Sequence, residues 1–140
     1  MAVVTHAVST ASTSNASSYA SGAFTPADGD VLVAFVTATA TIAAGSMTSS
    51  VAGQSFSKVT SFVYNSSGNT VYCFVSDQYT TAVSQTVTFS CSGDAATGAI
   101  VQVARVAGMS RAGLRAIKQS SGSSNTSGPA TPAPVFSTAV

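Results

Sequence analysis

Acid and base catalysis needs a carboxylate or imidazole poised beside the reacting atoms. This chain of 140 residues holds four acids, Asp28, Asp30, Asp77 and Asp94, no Glu, and one imidazole, His6. His6 falls in an alternating segment, where a histidine at the core edge or in solvent is far commoner than a catalytic one, and no serine stands in a G-x-S-x-G frame to pair with it. Gly108 to Gly113 has neither the G-x-G-x-x-G spacing nor the lysine of a phosphate loop. No enzyme activity and no cofactor are therefore expected. Asp28 and Asp30 flank Gly29 and could ligate calcium, but calcium takes six to eight oxygens and no further acid lies near them in sequence. Turn formation and solvation of a strand edge is the reading preferred here. Cys73 and Cys91, without CxxC spacing and with one histidine in the chain, are too few for structural zinc. No metal site is expected. Two free thiols are expected in a reducing cytosol, a disulfide being the alternative.

One charge asymmetry stands out. Arg105, Arg111, Arg115 and Lys118 supply four of the five basic residues within fourteen positions that contain no acid. Clustered arginines make bidentate contacts to carboxylates and phosphates, so the cluster could dock on an acidic protein surface. The plainer reading is a solvated loop. Nucleic acid is not expected as a partner, because a net charge of +1 gives little long-range attraction and no aromatic ladder is interleaved with the cations.

The elements that would position these residues read as strands. Only 6% of residues are charged while 45% are apolar, leaving a surface dominated by Ser and Thr. The hydrophobes recur throughout, so the chain is expected to fold rather than remain disordered. Met1 to Ser14 show neither the basic nor the apolar region of a secretory leader. The longest apolar run, Val31 to Val36, is far below the roughly 20 residues of a membrane-spanning helix, so no membrane partner is expected.

Gln85 to Cys91 alternates with period two, setting Val87, Phe89 and Cys91 against Thr86, Thr88 and Ser90. Thr70 to Ser76 sets Val71, Cys73 and Val75 against Tyr72 and Phe74, and Lys58 to Tyr64 alternates similarly. Val71, Val75, Val87 and Phe89 are expected to face inward. Residues 65–69, with Gly68 and two Asn, suit a hairpin loop between the last two strands. After the Asp28-Gly29 turn, Val31 to Val36 is apolar on both faces and predicts a strand covered on both sides. Ala99 to Val106 is comparable, and Val3 to Val8 and Tyr19 to Phe24 are weaker strands. Thr37 to Ala44 reads as a loop, and Ser110 to Ala116 as at most one helical turn broken by Gly113. Short strands at such spacing predict an all-β antiparallel sandwich or jelly roll of about eight strands. Its expected extent is residues 1–118, with residues 119–140 as a Ser/Gly/Pro-rich arm in which Val135 and Phe136 form a possible edge strand.

In sequence texture, Ser18-Tyr19, Phe24-Thr25-Pro26, Val31-Leu32-Val33-Ala34 and Val101-Gln102-Val103-Ala104-Arg105-Val106-Ala107-Gly108-Met109-Ser110 resemble phage-encoded virion proteins of jelly-roll type. The resemblance covers most of the chain loosely and carries no catalytic residue. It implies a capsid decoration, or cement, protein that bridges major capsid subunits in the virion, assembles as a homotrimer and is made in the host cytoplasm. A tail or head-fibre attachment role fits the same texture. A carbohydrate-binding module is the alternative from another class. That module wants exposed aromatic platforms, and the chain offers no Trp and four tyrosines, Tyr19, Tyr64, Tyr72 and Tyr79.

Overall fold

The computed structural model describes residues 2–64, 68–77 and 80–109. The region read as a helical turn at 110–116, the arm 119–140 with Val135 and Phe136, and the boundary at residue 118 lie outside the described residues.

Eight strands form two antiparallel sheets, and no helix occurs among the described residues. They are β1 (Val3–Ser12), β2 (Ser18–Ala20), β3 (Val31–Ala38), β4 (Ser46–Ser49), β5 (Phe56–Tyr64), β6 (Asn69–Ser76), β7 (Val87–Ser90) and β8 (Ala99–Ala107). The large sheet runs β1-β8-β3-β6-β5 and the small one β2-β7-β4. The expected β-sandwich is what the chain forms. Asp28-Gly29 makes the anticipated turn, with Gly29 at φ 81°, a left-handed conformation that glycine reaches without steric cost. β5 and β6 form the expected antiparallel hairpin, with an irregularity between Lys58 and Thr60.

The core lies between the sheets. β3 contributes Leu32, Ala34, Val36 and Ala38, β8 contributes Val101 and Val103, and β7 contributes Val87 and Phe89 from across the gap. At its centre the Tyr72 and Phe89 rings lie 5.2 Å apart and the Tyr72 and Phe74 rings 5.6 Å apart. Such spacings suit offset or tilted aromatic packing. This corrects the inward assignment for β6. Tyr72 and Phe74 face the small sheet, while Val71 is half-buried on the opposite face and Val75, although buried, belongs to that opposite face too. Both sides of β6 are apolar, so alternation alone could not say which side met the second sheet. The larger aromatic side fills the gap.

Two further differences have equally local causes. β4 was not anticipated because Ser46-Met47-Thr48-Ser49 holds a single apolar side chain. Met47, 5% exposed, is enough to anchor it against Phe89 of β7. The Ala-Thr stretch after β3 is a loop, as expected, but it places Ile42 in the core. There the Ile42 amide donates to the Thr70 hydroxyl at 3.0 Å, and the Tyr72 hydroxyl donates to the Ile42 carbonyl at 2.6 Å. A buried loop backbone is thus satisfied by side chains of β6.

Candidate interaction surface

Residues paired across strands share a face, so the register of the large sheet defines its outer side. Phe35 stands between Cys73 and Gln102, and Thr37 between Val71 and Ile100. β5 extends the plane with Thr60 and Phe62 opposite Cys73 and Val71. Within the strands, no residue on this side is Asp, Glu, Lys or Arg, its one imidazole, His6, sits on the edge strand β1, and Asp77, just past β6, stands at the rim, where its carboxylate accepts from the Ser55 hydroxyl at 3.2 Å. Lys58 projects to the other side of β5, its ammonium 5.9 Å from the centre of the Tyr72 ring.

Exposure is graded along this outer plane. Phe35 is 46% and Ile100 42% exposed, whereas Val31 and Val75 are 1% and 0% exposed. A hollow of about 290 Å³ lies at the open end, lined by Ala11, Thr37, Thr39, Gly98 and Ile100 among others. The expectation that β3 is covered on both faces therefore holds at its start and fails at Phe35. Sequence reasoning had the signal, a run apolar on both sides, but read it as burial rather than as an open plane. Chemically, a neutral plane of Val, Phe, Ile and Thr cannot polarise a substrate. It can exclude water against another neutral surface, and exposed apolar patches on soluble proteins commonly mark such contacts.

The basic cluster is only partly within view. Arg105 lies on β8 across from Leu32 and Thr5, on the inner-face register. Its Nε is 3.8 Å from Asp30 Oδ2, and its Nη1 donates to the Thr25 carbonyl at 3.5 Å. The side chain is 29% exposed. Its charge is thus partly engaged inside the molecule. Arg111, Arg115 and Lys118 lie outside the described residues.

The aspartates beside the Gly29 turn work as acceptors for backbone amides. Asp30 Oδ2 accepts from the Ala27 amide at 3.0 Å, and Asp28 Oδ1 from the Ala82 amide at 2.6 Å. Asp30 is 4% exposed, so it is a buried structural acceptor rather than a solvated edge residue. Among the described residues, no three His, Cys, Asp or Glu side chains gather in a way that could hold a metal ion. Both thiols are free, with Cys73 on the outer plane and Cys91 in the inter-sheet core. Burial pushes the Cys73 thiol above its ordinary pKa. Burial, followed by the nearby Asp94 charge, does the same to Cys91. Neither is primed as a nucleophile, which would need a lowered pKa.

The tyrosines do not form a sugar platform among the described residues. Tyr19 and Tyr72 are buried, Tyr64 is half-buried, and Tyr79 lies outside the described residues. Tyr19 is tied down by its hydroxyl, which bonds to the Ala96 carbonyl and accepts from the Ala16 amide. Compared with protein-family models, curated proteins and solved structures, the chain matches none.

Proposed function

We propose that this chain is a structural protein of a phage virion, a capsid decoration protein of jelly-roll type that binds copies of itself and the major capsid protein. The observation that carries the reading is the order of pairing. β1 pairs with β8, β2 with β7 and β3 with β6, while Ser55, just before β5, makes an isolated bridge to Thr48 of β4 and β5 itself pairs with β6. First pairs with last and so inward for three pairs, which resembles a long hairpin rolled over on itself. Jelly rolls of eight strands are the recurrent fold of viral capsid and lectin domains. The lectin branch is less well supported, because Tyr19 and Tyr72 are consumed by the core. Attachment at a tail or head fibre would draw on the same fold and the same neutral plane.

In this reading, a homotrimer repeats a weak docking contact three times and gains avidity through effective concentration. The docking charges are Arg111, Arg115 and Lys118, with Arg105 contributing less because Asp30 already engages it. The test is the Arg111→Glu, Arg115→Glu variant, read as copies retained per purified capsid, with trimer formation followed separately by sedimentation. Reduced occupancy with the trimer intact supports docking through the cluster. Wild-type occupancy from 0.1 M to 1 M salt, across which the Debye length falls from about 10 Å to about 3 Å, contradicts it.

A further inference from the structure

Among the described residues, the sheets end on β1 and β5 in the large sheet and on β2 and β4 in the small one. A bare strand edge offers a row of unpaired N–H and C=O groups to any extended chain, and soluble proteins blunt it with short strands, inward-pointing charges or bulges. Three of these edges are blunted. β2 and β4 are three and four residues long, and β5 carries the inward-pointing Lys58 beside an irregularity between Lys58 and Thr60. β1 is ten residues long and holds no Asp, Glu, Lys, Arg, Pro or Gly. Its own irregularity, between His6 and Val8, leaves residues 3–6 as an unbroken run paired with residues 104–107 of β8. All four residues of that run are exposed. Val3 and Val4 point to opposite faces and are 52% and 70% exposed, so among the described residues the run is covered on neither face and is held through β8 alone.

We propose that residues 3–6 pair antiparallel with the same residues of a second copy, joining two large sheets edge to edge. The edge suits a copy of itself. A two-fold axis normal to the sheet keeps the outer faces of both copies on one side, so side chains meet only mates of their own face and one residue must stand opposite itself. Within this run that residue is Val4 or Thr5, and the mate of Val4 is then Val4 or His6. Neither strand brings a carboxylate, ammonium or guanidinium to the seam. The ladder needs no more length than one already in the molecule, since β4 pairs with β7 over four residues. Pairing of β1 with β5 of a second copy would meet Lys58 and the irregularity beside it, and, being head-to-tail, would not close at two copies. The inference goes beyond the proposed function and does not rest on it, because a two-fold seam joins single copies or trimers in pairs.

Sedimentation of the full chain from micromolar to millimolar concentration, with amide hydrogen exchange read along β1, tests this. Copies, or trimers, are expected to associate in twos. As they do, the amides of residues 3–6 that point away from β8 should exchange about tenfold or more slowly, while those bonded to β8 stay unchanged. Val4→Lys with His6→Lys, at exposed positions outside the core, should weaken association about tenfold or more by setting like charges opposite one another. Val4→Cys or Thr5→Cys, each with Cys73→Ser, should form a disulfide between like residues of two copies, because the central residue of the seam lies opposite itself. The exchange pattern of the unaltered chain needs no variant to fold. Association in twos with the outward amides protected supports the proposal. A chain that stays single across the range, any assembly that leaves those amides unprotected, wild-type pairing in the lysine variant, or no disulfide at either position would overturn it. Growth other than in twos that protects the same amides would give the edge to a different strand and overturn it equally.

Discussion

Phe89 shows how much a single side chain carries. It is fully buried, touches both Tyr72 and Phe74, and leaves no room beside it: a Cβ added at Gly45 would lie 2.6 Å from its ring. Phe89→Ala should therefore cost about 3–5 kcal/mol by opening a cavity between the sheets. Thr88→Ala, on the other face of β7, should stay within about 0.5 kcal/mol. Gly45→Ala should cost about 1–3 kcal/mol through overpacking. Denaturant titration of the three variants checks the ranking, and equal losses at positions 88 and 89 would mean that β7 buries both faces. The thiols set a pH dependence. Because burial raises the pKa of Cys73 and Cys91 in the folded state, the native chain holds those protons more tightly than the unfolded one. Their contribution is complete below the ordinary thiol value of 9.0 and is lost as pH rises through the folded values. Stability should fall above about pH 9, and replacing Cys73 with Ser should remove part of that fall. The inward set Val87, Phe89 and Cys91 was legible because its other side is Thr and Ser. The set on β6 was not, because both of its sides are apolar.

At the level of elements, alternation marked the long strands well and composition hid the short one. β3, β5, β6, β7 and β8 lie where apolar periodicity put them, each within a few residues. β4 escaped because its only apolar residue is Met47, and its place is set by pairing with β7 rather than by its own sequence. The open plane escaped for a related reason: an apolar run does not say whether its second face meets another part of the chain or solvent. The turn preceding β3 depends on one buried carboxylate. Asp30 holds the Ala27 amide and faces Arg105, and its carbonyl accepts from the Thr80 amide at 2.9 Å. Asp30→Ala would leave the Ala27 donor and the Arg105 cation without that acceptor. A loss of about 1–3 kcal/mol is expected, measurable as a lowered denaturation midpoint with an unchanged slope. Asp28→Ala, which frees an exposed amide, should cost less.

For the whole molecule, the question is what a nearly uncharged sandwich with an open apolar plane is for. Phe35 and Ile100 on that plane are free to meet a partner, and closed symmetric oligomers are the usual way for identical chains to bury such surface. If the proposed trimer forms through this plane, Phe35→Asp should weaken it in sedimentation without unfolding the monomer, since the side chain lies outside the core. A trimer of wild-type strength would exclude the Phe35 region from the subunit contact. The basic cluster was legible as charge alone, and of its members only Arg105 has a described environment, an internal one. The role in a particle is tested most directly by counting. Quantitative mass spectrometry of purified particles, taken against the major capsid protein, should find this chain in many copies at a fixed ratio, retained through gradient purification. A chain abundant in infected-cell lysate but absent from purified particles would contradict a structural role in the virion.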